Sequence, residues 1–147
     1  MGLFRDIDVP KTCNKVHKFL TKDLDRLLLM SGRTLTDLRS PQLTLAPGST
    51  NRGNSTEDRL IRGLDAELEV RAIRNTINRL PETSKIIITD MYIYKMSSQQ
   101  CKEAVRYESS RYYDLRRRAQ LAFADAFDYQ QKVLGIETDY DLHVYLD

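Results

Sequence analysis

Ser97, Ser98, Ser109, Ser110, Arg111, Tyr113, Asp114 and the run Arg116-Arg117-Arg118 all fall between positions 97 and 118. Hydroxyl, guanidinium and phenol groups donate to phosphate oxygens and base edges, and a carboxylate accepts from a base amino group, so this mixture has the chemistry for duplex DNA. From Lys102 to Arg118 there are six Lys/Arg against three Asp/Glu. A solvated helix face is the plain alternative for the arginine run, because successive residues lie about 100° apart on a helix and cannot all face one phosphate strand. The serines and tyrosines interleaved with the arginines favour the interface.

Two helices and a tight turn would position these groups. Ser97 begins the first, with Gln100 three residues on to complete a reciprocal cap; Cys101, Ala104 and Val105 then share one face. The second begins near Glu108-Ser109-Ser110, where small hydroxyls and an acid suit the positive end of a helix. Its apolar stripe runs through Tyr112, Leu115, Ala119, Ala122 and Ala126, widened by Phe123 and Phe127. The face left over carries Ser109, Ser110, Tyr113, Asp114 and Arg117, with Arg116 at its margin. That outline, over 97–118, is a helix-turn-helix whose second helix enters a major groove.

The 147 residues suffice for one domain, or for a small domain with an accessory region. A net charge of +2 implies little about partners. Its distribution says more: 128–147 carries five acids against Lys132, a net of −4, which leaves +6 on 1–127. Cys13 and Cys101 lack zinc-site spacing and read as free thiols of a reducing cytoplasm. The start of the chain lacks a basic-then-apolar leader, and no window has the apolar length of a bilayer span.

Along the chain, Asp8–Ser31 reads as a helix capped by Asp8 or Thr12, with Pro10 in its first turn, Gly32 just beyond its end, and Val16, Phe19, Leu20, Leu24, Leu27 and Leu28 as its stripe. This gives an N-terminal helical segment over 1–32 and a linker over 33–55, rich in turn signals. Thr56 caps a second long helix with the stripe Leu60, Ile61, Leu64, Leu68, Ile73, Ile77 and Leu80, ended by Pro81. From Thr83 to Tyr94 the β-branched and aromatic residues favour a strand, but no partner strand exists nearby, and Ile87, Ile88 and Met91 share a helical face. We expect a helix there, within a helical domain over 56–127. The acidic tail, 128–147, alternates apolar and polar residues from Asp139 on; this suits a half-buried strand on a partner's sheet edge, and its length and charge suit disorder equally.

In sequence order, LFRDID…KT…V…FL (Leu3 to Leu20), GRTLTDLRSP (Gly32 to Pro41), EDRLIRGLDAELEV (Glu57 to Val70), INRLPETSK (Ile77 to Lys85) and YYDLRRRAQLAFADAF (Tyr112 to Phe127) resemble the blocks of the ArpU-type family, phage regulators of late-gene transcription first named as autolysin regulatory proteins. The resemblance covers almost everything up to Phe127. It implies a C-terminal half similar to region four of sigma factors, with Leu80-Pro81 opening a helix ahead of the helix-turn-helix. Three positions depart from that pattern: Arg106 stands where glycine is usual in the turn, Glu108 where serine often caps the recognition helix, and Lys102 where a small residue is usually buried.

The expectation is an all-α helical bundle with a C-terminal helix-turn-helix, acting as a sequence-specific transcription regulator of phage or prophage late genes on double-stranded DNA. Ser97, Ser98 and Arg116 to Arg118 would position it on phosphates; Ser109, Ser110, Arg111, Tyr113 and Asp114 would reach base edges. RNA polymerase is a further candidate partner, and a dimer is expected ahead of a ring. The alternatives are a packaging protein resembling a small terminase subunit and an adaptor that binds polymerase or another regulator. Catalysis is the weakest reading. His17 and His143 lie far apart, Asp65, Glu67 and Glu69 have no His or Cys beside them, and no phosphate loop or nucleophile elbow exists. No catalytic residue, metal ligand or cofactor is expected.

Overall fold

A computed structural model of the protein describes residues 2–39, 57–137 and 140–146, with 57–62 as backbone only. The described residues form a helical bundle. Helix α1, Val9–Lys18, starts where the Asp8 carboxylate accepts from the Lys11 N–H at 3.0 Å. A π-helical turn, Phe19–Asp23, joins it without a break to α2, Leu24–Ser31. The extra residue in that turn keeps Phe19, Leu20, Leu24 and Leu28 all buried, where a regular 3.6-residue period would carry some of them off the core face. The Thr21 hydroxyl donates to the His17 carbonyl at 2.7 Å, a side-chain bond that competes with the helix ladder at this point. Gly32, at φ 73°, ends α2 in the left-handed conformation that glycine adopts at least cost.

The first residues of the expected linker are helical: α3, Leu35–Arg39, inserts Leu38 into the core, and Asp37 Oδ2 accepts from the Thr34 N–H at 2.9 Å. The rest of that linker, Arg52 included, and the Thr56 cap lie outside the described residues. Helix α4, Glu57–Arg79, buries Ala66, Val70, Ala72, Ile73 and Ile77. The side chains of Leu60 and Ile61 are outside the described set, and Leu64, expected in the stripe, is 53% exposed. Pro81 precedes α5, Glu82–Ile88, which a second π turn, Thr89–Ile93, extends. This is the segment where β propensity and helical patterning conflict. Helix wins because Ile87, Ile88, Tyr92 and Ile93 then reach one buried side, and the described residues offer no strand to pair with.

After α6, Ser98–Val105, the long α7, Ser109–Val133, runs through the middle of the bundle against α1, α4 and α5, while α2 packs on α4. Ala119 and Ala124 let neighbouring backbones approach, and Phe123 and Phe127 fill the centre, with the Phe19 and Phe127 rings 5.1 Å apart. Beside them, the Arg33 guanidinium grips Glu67 through both carboxylate oxygens at 2.7 and 2.9 Å.

The C-terminal segment returns across the bundle. Gln131 holds Tyr140 by two backbone bonds, 2.8 and 3.0 Å, Leu142 is buried, and Val144 exchanges bonds with the Thr12 hydroxyl at 3.0 and 3.3 Å. The Asp8 N–H donates to Val144 O at 2.7 Å and the Leu146 N–H to Asp6 O at 3.0 Å, around an antiparallel bridge between Ile7 and Tyr145. The alternation seen in the sequence is thus used within the chain, against its own N-terminal residues. Beside this pairing His143 lies between Asp125, 2.7 Å from Nε2, and Asp141, 2.6 Å from Nδ1. No helix among the described residues is long and apolar enough to cross a membrane.

Candidate nucleic-acid interface

Local chemistry fixes the α6–turn–α7 unit. The Ser97 hydroxyl accepts from the Gln100 N–H at 3.2 Å, and Gln100 Oε1 accepts from the Ser97 N–H at 2.9 Å, which completes the reciprocal cap. The Ser97 hydroxyl hydrogen is still available to an anion. Helix α6 stops at Arg106, whose φ of 61° and ψ of 36° place it in the left-handed region, with its N–H on the Lys102 carbonyl at 2.8 Å. A non-glycine residue therefore makes this turn, at the modest steric cost such a position carries. Glu108 is the N-cap of α7 by backbone geometry, but its carboxylate makes no capping bond. Instead Lys102 Nζ donates to the Ser109 hydroxyl at 3.0 Å and ties the two helices together across the turn. That contact was not foreseen from the sequence: a spacing of seven suggests no pairing until the chain reverses between the two residues.

Beneath the turn, Tyr112 is fully buried, its hydroxyl against the Cys101 thiol and without a well-formed hydrogen bond among the described residues. Burial raises the pKa of both groups, the phenol of Tyr112 and the thiol of Cys101. Deeper still, Gln120 Nε2 donates to the Tyr92 hydroxyl at 3.0 Å, and His17 Nδ1 shares a hydrogen bond with the same hydroxyl at 2.8 Å. Burial, and then the charge of Arg116, lower the pKa of His17.

Of the ten residues singled out above, Ser109, Ser110, Arg111 and Tyr113 are exposed on the first turns of α7, with Arg117 and Arg118 exposed one turn on. Asp114 lies among them, 3.6 Å from Arg111, 3.9 Å from Arg117 and 3.3 Å from Arg118. Arg116 parts from this group. It is half-buried, its guanidinium 5.8 Å from the Tyr113 ring centre, and its charge acts on His17 and Tyr92 at the seam with α1. Ser97 and Ser98 are exposed at the start of α6. Tyr107, with Arg111 6.0 Å over its ring, is a neighbour the sequence did not single out.

The chain is 30% identical over 130 residues to a protein of Enterococcus hirae that carries the provisional name autolysin regulatory protein ArpU, covering 86% of this chain and 93% of that one. No family model and no solved structure matches it. With that identity sustained over nearly the full length of both proteins, the chain belongs to the ArpU family.

Proposed function

We propose that the protein is a sequence-specific DNA-binding transcription regulator of phage or prophage late genes, with α6 and α7 serving as a helix-turn-helix similar to sigma region four. The observation that carries this reading is the joint exposure of Ser109, Ser110, Arg111 and Tyr113 on the first turns of α7, behind a capped short helix and a left-handed turn. Those are the positions from which a recognition helix reaches base edges. The relative's name as a regulatory protein agrees with it, and the late-gene context comes from the family resemblance. A packaging ring gains less support, because the stripes of α1 and α2, with Ile73 and Ile77 of α4, pack into the chain's own core.

Ser97, Ser98, Arg117 and Arg118 face the phosphates, and Arg111 takes a guanine through both its nitrogens, a contact worth about 1–3 kcal/mol of discrimination. The test is fluorescence anisotropy on late-promoter fragments against scrambled duplex, across a salt series. Arg111→Ala relaxes preference at one base pair, whereas Arg117→Ala weakens all sequences alike and lowers the salt slope by about one. Equal losses on every sequence for both variants would refute the assignment, and weak binding by wild type that ignores sequence would turn the search to a protein partner such as RNA polymerase.

A further inference from the structure

Asp114 occupies an unusual place on the exposed face. On a helix a residue has near neighbours at i−4, i−3, i+3 and i+4. For Asp114 these are Ser110, Arg111, Arg117 and Arg118, and all three guanidiniums lie within 4 Å of its carboxylate while remaining more than half exposed. A single carboxylate, itself 40% exposed, is therefore the shared counter-ion of the three arginines available for DNA, and any phosphate that recruits them must approach a like charge.

Resting on the DNA-binding reading above, we propose that Asp114 is a specificity-determining residue that holds Arg117 and Arg118 back from phosphates, and Arg111 back from its guanine, until its carboxylate meets a base amino group, cytosine N4 above all. In a major groove only the amino groups of cytosine and adenine present hydrogens to an acceptor, and carboxylates pair with cytosine N4. Where such a base lies opposite, the carboxylate gains a donor, Arg117 and Arg118 turn to the backbone, and Arg111 turns to its guanine. Where none does, Asp114 stays desolvated against phosphates and binding is penalised. The charges that face Asp114 from α7 are these three arginines; from α6, Lys102 is engaged by Ser109 and Glu103 by Gln99 at 3.4 Å.

The experiment selects duplexes from a randomised pool with the full-length wild-type protein, then measures Asp114→Asn and Asp114→Ala on the selected and on scrambled DNA. Glu103→Gln serves as a control that removes one negative charge from the same pole without touching an arginine. We expect scrambled-DNA affinity to rise about three- to tenfold in both Asp114 variants at low salt, with the gain shrinking as salt screens it. Selected DNA should gain less or lose, preference at one C·G pair should vanish, and Glu103→Gln should leave the ratio unchanged. A rise equal on both DNAs, a matching change in Glu103→Gln, or a fall on both would overturn the inference while leaving DNA binding intact. A pool that wild type fails to enrich would overturn the DNA-binding reading itself, and this inference with it.

Discussion

Leu142 is the one side chain of the C-terminal segment 140–146 that is fully buried among the bundle's apolar residues. Leu142→Ala removes an anchor whose burial contributes about 1.5–3 kcal/mol, and truncation at a site that cannot collapse costs about 2–5 kcal/mol. What else holds the segment is a few hydrogen bonds, each worth about 0.5–1.5 kcal/mol net, to Gln131, Thr12, Asp8 and Asp6, together with the His143 clamp, the stacking of Tyr140 on Phe19, and Lys15 and Arg5 over the Tyr140 and Tyr145 rings. Fixing its backbone costs about 1–2 kcal/mol per residue, so docking without Leu142 has no margin and the segment is released while the bundle stays folded. The assay pairs urea unfolding followed by far-UV circular dichroism with hydrogen exchange at the Val144 and Leu146 amides. The expected result is a global loss of about 2–3 kcal/mol, at the lower end of the cavity range because the released segment leaves no rigid void, with both amides losing protection before the helices do. Unchanged protection at both amides, with stability within about 0.5 kcal/mol of wild type, would refute the claim that Leu142 anchors the segment.

Tyr112→Phe removes a buried hydroxyl that has no well-formed bond among the described residues, only the Cys101 thiol beside it, so thermal or urea unfolding should show it to be neutral or stabilising by up to about 1 kcal/mol; a loss above about 1 kcal/mol would show that the thiol bonds it effectively. The two histidines should titrate in opposite directions from their ordinary value of 6.5, which two-dimensional NMR of the imidazole rings reads directly. For His17, burial and Arg116 favour the neutral form, so its contribution is present above the unfolded pKa and is lost as pH falls through the lower folded value. For His143, burial opposes the charge, but the hydrogen bonds and charges of Asp125 and Asp141 outweigh it, so its contribution is complete below 6.5 and is lost as pH rises through the raised folded value. A His17 that titrates above His143 would contradict both assignments.

Local signals foretold local features. Ser97 with Gln100, Gly32, Pro81 and the period of the α7 stripe each mark an element end or face through the residue's own chemistry, and each stands where that chemistry puts it. The π turns at Phe19–Asp23 and Thr89–Ile93 were not legible, because a fixed 3.6-residue period has no place for an inserted residue. Both occur where neighbouring large side chains, Phe19 with Leu20 and Tyr92 with Ile93, must be buried together, which is a demand of the core and not of the local sequence. The fate of the C-terminal alternation was equally hidden, since period-two patterning names a strand but not its partner. Leu64 is exposed although it keeps the helical period, and nothing in the structure explains its apolar character. At the interface, residue types were readable and their mutual charge balance was not: the spacing of Arg111, Arg117 and Arg118 around Asp114 sits plainly in the sequence, but its meaning depends on all four sharing one exposed face.

Helix α7 carries that face and the core on one rigid element. Residues 109–118 put polar groups outward around the buried Tyr112, and from Ala119 on, the same helix supplies Phe123, Ala124 and Phe127 to the centre of the bundle. Helix α6 joins it through the Lys102–Ser109 bond and through Cys101 beneath, so the spacing between the two helices is set by packing rather than by the turn alone. Rotating α7 would drag Phe123 and Phe127 out of register with Phe19, and a close-packed core resists such displacements. The side chains on its outer surface, Arg111, Arg117 and Arg118, are the parts free to move. Adaptation of this face to a partner therefore falls to rotamers and their shared counter-ion, and on the proposed reading a change at position 114 alters selectivity without any change in fold.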